Sequence, residues 1–117
     1  MKTIILSPQM DENAVKIAAD LILQGEVVGM PTETVYGLAA NALNGDAVAK
    51  IFRAKGRPQD NPLIVHIADF EQIYDLCPAV PPQAKLLAEA FWPGPLTMIV
   101  PKGDCIPDEV SCGLETV

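Results

Sequence analysis

The chain has 117 residues, half of them hydrophobic but only 5% aromatic, and carries a formal net charge of −7. That length supports one domain with a modest core built mainly from Ala, Val, Ile and Leu, the make-up of layered α/β proteins. The acidic balance excludes bulk binding to a phosphate backbone or an anionic membrane, which needs a broad positive surface, and leaves only local contacts with nucleic acid.

Thr3 to Leu6 is a short β-type run. Ser7-Pro8 breaks it, and Asp11 is placed to cap a helix over Asp11 to Leu23, where Ala14, Val15, Ala18, Leu21 and Ile22 recur at spacings of three and four. Gly25 ends that helix. Val27 to Met30 predicts a strand stopped by Pro31, and the hydroxyl-rich stretch Pro31 to Leu38 leaves it as a turn. Asp46 is placed to cap a second helix that runs to Lys55, with Ala47, Ile51 and Ala54 on one face and Gly56 as the left-handed stop.

Leu63 to Ile67 alternates Leu63, Val65 and Ile67 against Ile64 and His66, so a strand would turn the chain's one histidine away from the Leu63 row. Asp69 opens a short helix to Leu76. Pro81-Pro82 opens another, with Ala84, Leu87, Ala88 and Phe91 in one stripe, and Trp92-Pro93-Gly94-Pro95 stops it. Leu96 to Val100 reads as a strand, Pro101 to Pro107 as loop, and Gly113 to Val117 as the start of a further strand.

No apolar run approaches the roughly 18 residues that span a bilayer, and the N-terminus lacks a signal-type apolar region, so a cytoplasmic protein without membrane association is expected. Cys77, Cys105 and Cys112 form no C-x-x-C pair, and one histidine completes no four-ligand zinc set. Reduced thiols and no protein-bound metal site follow.

One stretch is out of keeping with the negative chain. Lys50, Arg53, Lys55 and Arg57 fall together with no acid among them, half of the eight Lys and Arg residues. Cations near a helix C-terminus complement its dipole, and that alone accounts for the first three. Arg57 lies beyond the stop, and Lys55 and Arg57 bracket a glycine, so both can converge on one phosphate or carboxylate. A solvated face and an anion site remain open alternatives. There is no G-x-x-x-x-G-K-[ST] and no G-x-G-x-x-G, so a nucleotide would be held by scattered side chains. Thr32 and Thr34 follow a strand, where hydroxyls either face a crevice or bond to their own turn.

Four segments, PTETVYGL (31–38), Lys55-Gly56-Arg57, NPLIVHI (61–67) and WPGPLT (92–97), occur in an order that closely resembles the YrdC/TsaC family of L-threonylcarbamoyladenylate synthases. The resemblance implies an α/β fold, an open twisted mixed sheet with flanking helices. It also implies a nucleotidyltransfer reaction: L-threonine, bicarbonate and ATP become threonylcarbamoyl-AMP and pyrophosphate, for threonylcarbamoyl-adenosine modification of tRNA. Lys55 and Arg57 would be catalytic and meet the ATP phosphates. Asn61 and Thr116 would join them on the nucleotide side, while Thr32, Thr34 and His66 would bind L-threonine. Mg²⁺ is expected with ATP. Downstream tRNA-modification proteins are implied partners, and strong direct nucleic-acid binding is not.

The Ser-x-Asn half of the family's Lys/Arg/Ser/Asn tetrad would fall past Val117. Residues 1–117 are therefore expected to form a single, incomplete domain of this kind, truncated at its C-terminus and not fully active alone. Two other readings are a carbamoyl-transfer module like that of the hydrogenase-maturation protein HypF, and a non-catalytic RNA-binding module.

Overall fold

The computed structural model describes residues 2–117. Helices and strands follow in the order α1 (Ala14–Leu23), β1 (Val28–Met30), β2 (Gly37–Ala39), α2 (Gly45–Lys55), α3 (Ile73–Leu76), α4 (Pro82–Phe91) and α5 (Asp108–Ser111), with a 3₁₀ turn at Phe70–Gln72 leading into α3.

The α1 helix begins at Ala14 because the residues before it are consumed in a turn. The amides of Met10 and Asp11 both donate to Ser7 O, and the Asp11 carboxylate accepts from Asn13 N at 2.8 Å instead of capping the helix. Gly25, at φ +82°, then turns the chain out of α1. Helix α2 is capped by Asn44, whose Oδ1 accepts from Ala47 N at 3.1 Å, two residues ahead of the expected Asp46. Gly56 takes the left-handed conformation expected of it, φ +61°, and its amide and that of Arg57 donate to Arg53 O and Phe52 O. The short helix after Asp69 is fixed by Gln72, whose side-chain oxygen accepts from Ala68 N and Asp69 N.

Strand pairing is narrower than an open mixed sheet. β1 and β2 form an antiparallel hairpin with Val28 opposite Ala39, Gly29 opposite Leu38 and Met30 opposite Gly37. A second antiparallel contact, an isolated bridge between Pro101 and Thr116, is flanked by bonds from Val100 N to Val117 O and back, and from Lys102 N to Glu115 O. Thr3 to Leu6, Leu63 to Ile67 and Leu96 to Ile99 carry no ladder among the described residues. A strand exists only through a neighbour's hydrogen bonds, and side-chain alternation cannot supply one. The alternation itself is present: Leu63, Val65 and Ile67 are half-buried, whereas Ile64 and His66 are exposed.

Two apolar clusters hold these pieces. Val48 and Phe52 of α2 pack with Ile106 and Val110, and Leu63 and Val65 rest against them. Ile73, Cys77 and Val100 form the second, backed by Ile67, Phe70 and Val117. In α4 only Ala84 and Ala88 are buried, so the wider stripe expected through Leu87 and Phe91 faces outward. The loop after Val100 is strapped to the end of α3 by Gly103 N donating to Leu76 O at 2.7 Å.

Candidate functional site

A hollow of about 1320 Å³ lies between the Pro62 to Asp69 segment, helix α4, the Trp92 to Val100 segment and the last residues of the chain. The first of these segments forms one wall. Leu63, Val65 and Ile67 line the hollow while packing on the two clusters, and Ile64 and His66, exposed on the other side of the segment, line it as well. The bridge at Pro101 brings Thr116 to the same hollow, and Thr32 reaches it from the loop that closes the hairpin. Trp92 borders it too, held by its indole N–H donating to Leu96 O at 2.8 Å.

Three of the expected site residues, Thr32, His66 and Thr116, therefore share one hollow. Thr34, Lys55, Arg57 and Asn61 are exposed and lie outside its lining. The Thr32 hydroxyl is occupied by its own turn, donating to Val35 O and accepting from Thr34 N and Val35 N at 3.3 and 3.2 Å. That is the self-capped alternative of the two open for these threonines. His66 Nδ1 lies 3.2 Å from Ile64 O. A carbonyl only accepts, so in this contact Nδ1–H is the donor, and Nε2 takes no partner among the described residues.

The basic island divides. Lys50 is spent on structure, donating from Nζ to Gly25 O at 2.7 Å and to Glu26 Oε1 at 3.2 Å, which ties α2 to the end of α1. Lys55 and Arg57 are exposed, and among the described residues neither makes an ion pair. Close by in sequence, the Asp60 carboxylate adds to the effect of burial in pushing the Cys112 thiol pKa above its ordinary value.

The charge on the walls of the hollow is mainly negative. Glu33, Asp69, Glu71 and Glu89 face it against the single cation Lys85. A triphosphate is unfavoured among them, whereas an ammonium group is suited to these carboxylates, with the His66 ring beside them. Among the described residues no three His, Cys, Asp or Glu side chains gather into a metal-binding group, and no helix is long and apolar enough to cross a membrane.

Sequence reasoning did not find β2, α5 or the contact between Lys102 and Ser111. β2 is Gly37-Leu38-Ala39, without a β-branched residue to mark it, and α5 has only four residues. The available signal for α5 was Pro107 followed by Asp108 and Glu109, a proline and two acids suited to a first helical turn.

Comparison with known proteins bears on the whole chain. A threonylcarbamoyl-AMP synthase of Pyrococcus abyssi is 52% identical over 117 residues, aligning 98% of this chain with 34% of its own length. One from Bacillus subtilis is 60% identical over 101 residues, 86% of this chain and 29% of the relative. The solved structure of a P. abyssi Sua5 variant superposes with a TM-score of 0.94 at 52% identity, covering 99% of this chain and 36% of that one. A crystal structure of P. abyssi Sua5 complexed with L-threonine gives 0.87 at 54% identity, over 92% and 32%. The chain thus spans about a third of the length of these relatives. The family model for Sua5, YciO and YrdC proteins, described as telomere recombination, matches residues 20–117. With the α/β architecture, the four sequence segments and this match in agreement, the chain belongs to the Sua5/YciO/YrdC family.

Proposed function

We propose that this chain supplies the L-threonine-binding part of a threonylcarbamoyl-AMP synthase. The observation that carries the proposal is the convergence of Thr32, His66 and Thr116 on one acid-rimmed hollow. Two relatives bear the synthase name, and a P. abyssi relative was crystallised with L-threonine, which favours this reading over a carbamoyl-transfer or RNA-binding module.

The division of charge suits a two-part site. L-Threonine's ammonium meets the carboxylates of the hollow and its hydroxyl meets the His66 ring, with Thr32 beside them in the lining. The ATP phosphates meet Lys55 and Arg57, which flank Gly56 outside it, with Asn61 beside them, and Thr116 meets the nucleotide from the edge of the hollow it lines. The threonine ammonium gives up a proton to solvent, and the amine attacks the bicarbonate carbon; the C–N bond forms as a C–O bond breaks, and the departing hydroxide takes the second N–H proton and leaves as water, giving the carbamate. A carbamate oxygen then attacks the α-phosphorus and pyrophosphate leaves. Lys55 and Arg57 would offset the negative charge that builds on the phosphates, and the remaining task is to hold the substrates in reach of one another. Mg²⁺ would accompany the triphosphate and offset part of its charge. The product would pass to tRNA-modification partners in the cytoplasm.

Calorimetric titration of ATP, with and without L-threonine, tests the assignment. Arg57→Ala removes a charge-assisted contact and should weaken ATP binding about tenfold or more, leaving L-threonine affinity within about twofold. An ATP affinity unchanged within about twofold ends the phosphate role of Arg57.

A further inference from the structure

We infer that Lys102 is a positioning residue that sets where Thr116 meets the ligand. This rests on the assignment of Thr116 to the ligand hollow made above. Lys102 is an unusual lysine for a surface loop: its side chain is only 16% exposed. Its ammonium donates to Asp108 Oδ1 at 2.7 Å and to Ser111 Oγ at 3.0 Å, and Ser111 is fully buried, at 0% exposure. Both partners lie on α5, which is locked to α2 through Val110, Val48 and Phe52.

The main chain of the same residue reaches the site. Thr116 is bridged to Pro101, and proline has no N–H to give to a ladder. Its register therefore depends on the bonds on either side, the Val100–Val117 pair and the single bond from Lys102 N to Glu115 O, each 2.9 Å. A lone bridge of this kind frays unless something rigid holds it. Lys102 holds it with both of its donors, the amide on Glu115 and the ammonium on α5. The packed α2–α5 unit thereby fixes the height at which Thr116 enters the hollow.

The test is a double-mutant cycle between Lys102→Met and Thr116→Ala, read by calorimetry with ATP and with L-threonine well below the unfolding midpoint. Thr116→Ala should weaken one of the two ligands by about fivefold or more, and Lys102→Met should weaken that same ligand comparably. The double variant should lose little beyond either single change, because both act through one hydroxyl. Lys102→Arg keeps a cation and its donors and should recover affinity to within about threefold. If Lys102→Met lowers only the melting temperature, with affinity kept within about twofold while Thr116→Ala weakens binding, the positioning role is overturned and the site assignment stands. If Thr116→Ala changes neither affinity, the assignment and the positioning role fall together. Should Lys102→Met not fold, Asp108→Ala answers in its place, since Asp108 is 82% exposed and the change removes only one partner of the ammonium. It should weaken the same ligand by about twofold to fivefold, and an affinity equal to wild type overturns the proposal.

Discussion

Phe52 is the side chain on which the His66 wall depends, and truncating it gives a measurable consequence. It is 6% exposed and packs with Val48, Ile106 and Val110, the cluster against which Leu63 and Val65 rest. Phe52→Ala removes a buried ring and leaves a cavity that the surrounding helices fill only in part, a loss of about 3–5 kcal/mol. An unfolding entropy of about 2.1 cal/mol/K per residue amounts to roughly 250 cal/mol/K for 117 residues, so the melting temperature should fall by about 12–20 °C. Phe52→Leu, which keeps most of the volume, should cost under about 1.5 kcal/mol and about 6 °C. Circular dichroism against temperature reads both variants. Hydrogen exchange at the Leu63 amide, which donates to Val110 O at 2.9 Å, reads the wall directly and should quicken in Phe52→Ala. A fall below about 4 °C in Phe52→Ala, or equal falls in the two variants, would refute the view that this ring is the keystone of the cluster.

Three further outcomes follow from single contacts. At Gly103 a Cβ would stand 2.8 Å from Leu76 O, and that carbonyl is backbone, so Gly103→Ala must displace the loop. A loss of about 1–3 kcal/mol in chemical denaturation is expected, and no loss would show that the strap yields freely. His66→Ala should weaken L-threonine about tenfold in calorimetry while ATP binding holds within about twofold, and an equal loss for both ligands would place His66 elsewhere in the site. Cys112 is held protonated by burial and then by Asp60, so stability from this group is present below the ordinary thiol pKa and is lost as pH rises through the raised one. At about pH 8, iodoacetamide should modify exposed Cys105 before Cys112, with buried Cys77 last, and Asp60→Asn should speed Cys112; an unchanged rate would remove the charge contribution.

Local physics made much of this chain legible in its sequence. The stops at Gly25 and Gly56, the proline opening of α4, and the inward Leu63, Val65 and Ile67 follow from backbone preference and side-chain period, which neighbouring residues decide. The isolated charge of Lys55 and Arg57 was equally plain, because it needs only composition and spacing. Tertiary structure decided what depends on residues distant in the chain. It paired Val100 with Val117, spent Lys50 on Gly25 and Glu26, and set the ammonium of Lys102 on Ser111. It also gathered Thr32, His66 and Thr116 at one hollow while leaving the basic pair outside it. Hydrogen-bond ladders and cavities are made by whichever surfaces come together, and no period within one segment encodes its partner.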